Sequence, residues 1–70
     1  MNDIQIETLL SVKDVSEQLR MSVSSVWKKV RSGELPKPLR ISGGMSRWLS
    51  SEINDWVRQE IEKRDAEEAQ

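Results

Sequence analysis

Apolar residues recur along the chain in several distinct rhythms. Val12, Val15 and Leu19 share one face at helical spacing. Ser11 before them is a good N-cap residue, and Asp14 lies near the positive end of the resulting helix. The pattern predicts a short helix over 12–19. Arg20 and Met21 leave little room for a loop, and Ser22 is a second candidate cap. Val23, Val26, Trp27 and Val30 then fall at i, i+3, i+4 and i+7, an apolar stripe that Gly33 closes at the usual C-terminal position. Two short helices joined by about three residues predict a helix-turn-helix, although many small helical domains contain such a corner.

The rhythm changes after Gly33. Pro36 and Pro38 exclude a helix, and Leu39 and Ile41 alternate with Arg40 as in a strand. "SGG" at 42–44 is a turn, and "MSRWL" returns as a second strand. This predicts a β-hairpin with Arg40 and Arg47 near its turn, the arrangement called a wing when it follows a helix-turn-helix. A last helix has Ser50 or Ser51 as its cap and Ile53, Trp56, Val57 and Ile61 as its buried stripe. Beyond Ile61 the apolar pattern stops, and the end of the helix is expected to fray. At the other end, Ile4 and Ile6 alternate weakly, a stretch read either as disordered or as an added strand. The fold expected is mainly α with a β-hairpin (α+β), a winged helix-turn-helix. It divides into an N-terminal arm over 1–8, the domain over 9–62, and a frayed acidic tail over 63–70.

Charge sharpens this picture. The net charge is −1, but residues 1–19 sum to −3, residues 20–47 to +6 and residues 48–70 to −4. The stretch from Ser25 to Ile41 holds Lys28, Lys29, Arg31, Lys37 and Arg40 against the single acid Glu34. A basic field inside an acidic chain points to a polyanion-binding face, with scattered solubilising lysines as the plain alternative. On a helical wheel of about 100° per residue, Ser25, Lys28, Lys29 and Ser32 point away from the apolar stripe, flanked by Ser24 and Arg31. No acid lies on that face, whereas an ordinary solvated helix mixes Glu with Lys. Arg31 sits at the edge of the stripe, where pairing with Glu34 competes with an external contact. Trp27, Trp48 and Trp56 are read as core in preference to base-stacking residues.

Composition excludes several function classes. Seventy residues allow one domain that buries only about 60% of its unfolded surface. The absence of Cys and His removes disulfides, thiolate metal sites and the commonest general base, and no metal or cofactor is expected. No nucleophile–base pair is evident, so an enzyme is not expected. The longest apolar runs are far short of a membrane span, and the N-terminus is acidic where a signal peptide is basic. The expectation is a soluble cytoplasmic protein.

From Leu9 to Arg58 the chain resembles the AlpA-type prophage regulators, which are related to phage excisionases and to the DNA-binding domain of MerR regulators. "LLSVKDV" opens the first helix of that pattern. "MSVSSVWKKVRSGELPKP" matches its hydroxyl, aliphatic, aromatic and basic order followed by Gly and a Pro-containing stretch. "RWLSSEINDWV" matches its Trp, helix cap and Trp-containing last helix. Trp27 stands where many relatives have Tyr, and Val23 where relatives often carry a polar or basic residue. The resemblance implies a second helix that enters the major groove of double-stranded DNA and a hairpin that grips the phosphate backbone. It places Ser24, Ser25, Lys28 and Lys29, with Arg31 beside them, on the recognition helix. It places Arg40, Gly43, Gly44 and Arg47, with Lys37 at the foot, in the wing. It further implies an excisionase that directs a tyrosine-type integrase on a prophage or genomic island, or an AlpA-type transcription regulator. A protein-binding anti-repressor acting through the acidic last helix is the reading from another class. A chain this small with no coiled coil is expected to be a monomer when free and a cooperative multimer on bacterial nucleoid DNA.

Overall fold

Ser11 starts the first helix by exchanging two hydrogen bonds with Asp14. The Asp14 amide donates to the Ser11 hydroxyl at 3.1 Å, and the Ser11 amide donates to the Asp14 carboxylate at 3.0 Å. This capping box satisfies two of the donors that a helix start leaves open. The computed structural model describes residues 8–69. In it α1 spans Val12–Leu19, over the bounds the spacing predicts. It closes on Arg20, whose φ of 57° is left-handed. The Arg20 amide donates to the Glu17 carbonyl and the Met21 amide to the Ser16 carbonyl, which turns the chain sharply.

Ser22 then caps α2, Val23–Arg31, by accepting from the Ser25 amide at 3.1 Å. The far end closes on Gly33, at φ 85°. The Gly33 amide donates to Val30 and the Glu34 amide to Lys29 at 2.9 Å, a reversal that turns the chain back past the helix end. Leu35, only 2% exposed, enters the core there.

Two antiparallel strands follow, β2 (Leu39–Ile41) and β3 (Met45–Leu49), joined by a tight turn over Ser42–Gly44. Leu39 pairs with Arg47, Arg40 with Ser46 and Ile41 with Met45. The hairpin expected from the alternation is present. A short strand at Leu9–Leu10, which we number β1, adds to the other edge of β3 and gives the order β1-β3-β2. The weak alternation at Ile4 and Ile6 lies outside the described residues.

The last helix, α3, spans Ser50–Glu68. Neither Ser50 nor Ser51 is its N-cap, contrary to expectation. β3 runs straight into the helix, Leu49 occupies the cap position, and the Ser50 amide is taken by the Thr8 carbonyl at 3.0 Å. The helix also continues past Ile61 where fraying is expected. Its outer half is built of good helix formers and carries local ion pairs, Asp55–Arg58 and Glu60–Lys63 at i,i+3 and Arg64–Asp65.

Val15, Val26, Leu35, Trp48 and Ile53 form the buried core, with Leu10, Val12, Leu19, Met21, Trp27, Val30 and Trp56 packed around it. The three tryptophans, all read as core from the sequence, divide. Trp48 is fully buried, while Trp27 and Trp56 are half-buried at its margin. Three members of the predicted stripes lie outside the core, Val23 at 40% exposure, Ile61 at 43% and the half-buried Val57. Each sits at a helix position beyond the reach of this small core.

Candidate nucleic-acid interface

The core fixes which way α2 faces. Val26 is fully buried and Val30 half-buried, and the Trp27 ring packs on Trp48 with centroids 5.3 Å apart and planes tilted by 53°. Trp48 is itself pinned, because its indole N–H donates to the Pro36 carbonyl at 2.8 Å. α2, the loop after it and the hairpin are therefore locked to one another through two indoles.

Val23 is exposed at the N-terminal end of the apolar stripe, and the side of α2 left to solvent carries Ser24, Lys28, Arg31 and Ser32. This face is turned from the one the wheel predicts. Ser24, Lys28 and Arg31 lie at its centre, and Ser25 and Lys29 are half-buried at its edge. Ser25 accepts a hydrogen bond from the Ser22 hydroxyl at 3.0 Å, which draws it into the cap. Lys29 pairs with Glu34 at 3.2 Å, and Ser32 also donates to Glu34 at 3.1 Å. The partner expected for Glu34 was Arg31. The reversal at Gly33 carries Glu34 back over Lys29 instead, and Arg31 stays free of it. The Lys29 and Ser32 hydrogen bonds hold the Glu34 carboxyl below its ordinary pKa of 4.5.

The predicted wing residues are present but separate into two sets. Cross-strand partners share a face of a sheet and successive residues alternate. Arg40 and Ser46 therefore lie on one face, and Leu39, Ile41, Met45 and Arg47 on the other. Arg40 is exposed and reaches around the turn to donate to the Gly44 carbonyl at 3.3 Å. Arg47 is half-buried and lies along its own strand, donating to the Ser46 carbonyl at 2.8 Å and touching the Met45 sulfur at 3.6 Å. Its charge also reaches α1. The Asp14 carboxyl is lowered from its ordinary 3.8 mainly by the two Ser11 hydrogen bonds, with Arg47 adding to them. Gly43 and Gly44 form the tip at φ 74° and 78°, conformations that L side chains rarely adopt. Lys37 is exposed on the loop before β2 and is not part of the hairpin.

Among the described residues, Lys28, Arg31, Lys37 and Arg40 form no ion pair. Lys28 and Arg31 with the exposed Ser24 on α2, and Arg40 with the glycine tip on the hairpin, are chemically suited to phosphate oxygens and polar base edges. Arg20, exposed at the corner, escaped the sequence reading, and Val23, exposed at the start of α2, entered it as a stripe residue and as a departure from the polar or basic residue of relatives. Arg20 carries no sequence signal beyond its charge. The exposure of Val23 was hidden by its regular place in the apolar spacing.

The comparisons with known proteins fit this geometry. The chain matches a family described as helix-turn-helix domain over residues 9–60, which runs from β1 into the middle of α3. It is also 32% identical over 62 residues to the uncharacterized protein ORF88 of Enterobacteria phage P4, a match that covers 89% of this chain and 70% of that protein. No solved structure matches significantly.

Proposed function

We propose, from the premise that this chain belongs to the helix-turn-helix domain family and so binds DNA, that it is a sequence-specific excisionase. In this reading α2 enters the major groove, the tip of the hairpin rests on the backbone, and the protein directs an integrase on a prophage or genomic island. It acts by binding and not by catalysis. The observation that carries the DNA face is the exposed stripe Ser24, Lys28 and Arg31, which holds two cations without an acid. The excisionase part is supported by the order of motifs from Leu9 to Arg58 and by a relative that belongs to a phage. Among the described residues no helix is long and apolar enough to cross a membrane. The proposed location is the cytoplasm, on the nucleoid.

One module of this size buries roughly 600–1,000 Å² on DNA, too little for tight specificity from a single copy. The protein is a monomer in free solution and binds adjacent sites cooperatively. The array bends the DNA so that the integrase bridges its sites, at a cost on the order of 1–6 kcal/mol offset by repeated backbone contacts. The test is a footprint with a circular-permutation bending assay on the natural attachment-site DNA, followed by an excision assay with the cognate integrase. A cooperative, bent footprint and stimulated excision support the reading. Cooperative binding at a promoter without an effect on excision would reassign it to transcription regulation alone. The acidic α3, with Ile61 exposed, favours one other reading, an anti-repressor that binds a regulator. Failure to shift any duplex at low salt would support that instead.

A further inference from the structure

Among the described residues the exposed large apolar side chains are Leu9, Leu39 and Met45 on the sheet, Ile61 on α3, and Val23 on α2. Val23 is the one on the helix that faces DNA. Its exposure follows from position. It lies at the first residue of α2, ahead of Val26, which turns into the core, and next to Ser24, which is exposed. The N-terminal residues of a recognition helix are those that reach base edges in the major groove. Val23 has no polar side-chain atom with which to read a donor or acceptor. The one apolar group that a base presents in that groove is the C5 methyl of thymine.

We propose that Val23 is a specificity-determining residue that reads a thymine through this methyl group, with Ser24 beside it contacting a polar edge. The proposal rests on the DNA-binding reading. It also explains how a Val serves at this position: it recognises an apolar group and not a hydrogen-bonding one. Lys28 and Arg31, exposed further along the same helix, supply the affinity that holds Val23 in place.

Deoxyuridine is thymidine without the methyl, so it isolates this contact. The test starts with duplexes selected by the full-length protein from a randomised pool. Each thymine of the selected site is then replaced singly by uracil, and binding is measured for the wild type and for Val23→Ala. Burying one methyl is worth about fourfold in affinity. The expected result is one thymine per bound copy at which uracil weakens the wild type about fourfold and leaves Val23→Ala unaffected. At every other thymine the two proteins should respond alike. Val23 is exposed, so the variant should keep the wild-type circular dichroism and melting temperature, and Val23→Thr, which retains one methyl, should recover part of the discrimination. Wild-type binding that is insensitive to uracil everywhere, or equally sensitive in Val23→Ala, would overturn the assignment while leaving DNA binding intact. A pool that yields no selected sequence would instead overturn sequence-specific binding itself.

Discussion

Trp48 combines full burial with a hydrogen bond to the Pro36 carbonyl, and both should show in its variants. Trp48→Ala removes a large ring from a small core and should cost about 3–5 kcal/mol, much of what a domain of this size has. A chemical denaturation curve should find most of this variant unfolded in buffer or close to it. Trp48→Phe keeps an aromatic ring and loses the N–H, so the smaller loss expected is about 1–3 kcal/mol. Arg20 is the opposite case. It holds a left-handed conformation that costs an L residue roughly 1–2 kcal/mol, and Gly avoids that at some cost in chain entropy. Arg20→Gly should therefore raise the denaturation midpoint, by about 0.5–1 kcal/mol in stability. Asp14 provides a pH signature. Its folded pKa is lowered, so its contribution is fully present above the ordinary 3.8 and is lost as pH falls through the lower folded value. The gap in melting temperature between the wild type and Asp14→Ala should be constant over roughly pH 5 to 7 and close in acid.

At the scale of elements, the Lys29–Glu34 pair ties the end of α2 to the loop after it. The pair is exposed and should add little to stability. Glu34→Gln should leave the melting curve unchanged and tighten DNA binding, because it releases a cation at the edge of the proposed contact face. A mobility-shift titration of the variant against the wild type checks this. Local signals explain which elements were legible. α1 and α2 carry caps and stops within their own sequence, and the hairpin has its alternation and glycines, so all three stand where the spacing predicts. β1 has two residues and takes its register from Leu49 and Trp48, about forty positions away, which leaves no local period to read. The turned face of α2 was hidden for a similar reason. The wheel gives angles, but whether Ser25 and Lys29 face solvent depends on Ser22 and on Glu34, which the C-terminal reversal brings back. The separation of Arg40 from Arg47 follows from strand register. Proximity to a turn in sequence does not say which face a residue occupies.

Over the whole molecule, charge is sorted. The segment from Arg20 to Arg47 sums to +6, and the segment that contains α3 sums to −4. DNA binding should fall steeply with salt, by about 0.9 in log affinity per log salt for each phosphate contact. With Lys28, Arg31, Lys37 and Arg40 engaged the slope is about −3.6. A binding titration across salt concentrations measures it, and a flat result would remove the cationic face as the cause. Sorting of another kind concerns light. The chain has three Trp and no Tyr or Phe, so all of its near-ultraviolet absorption comes from indole. Trp27 belongs to α2 and Trp48 to the hairpin, with ring centroids 5.3 Å apart. Two chromophores that close and tilted couple as excitons and give a paired circular-dichroism band whose sign and size depend on their relative orientation. The protein thus carries an unlabelled optical gauge of the angle between helix and wing. If the hairpin swings when DNA is bound, that band will change, and if the unit docks as a rigid body it will not.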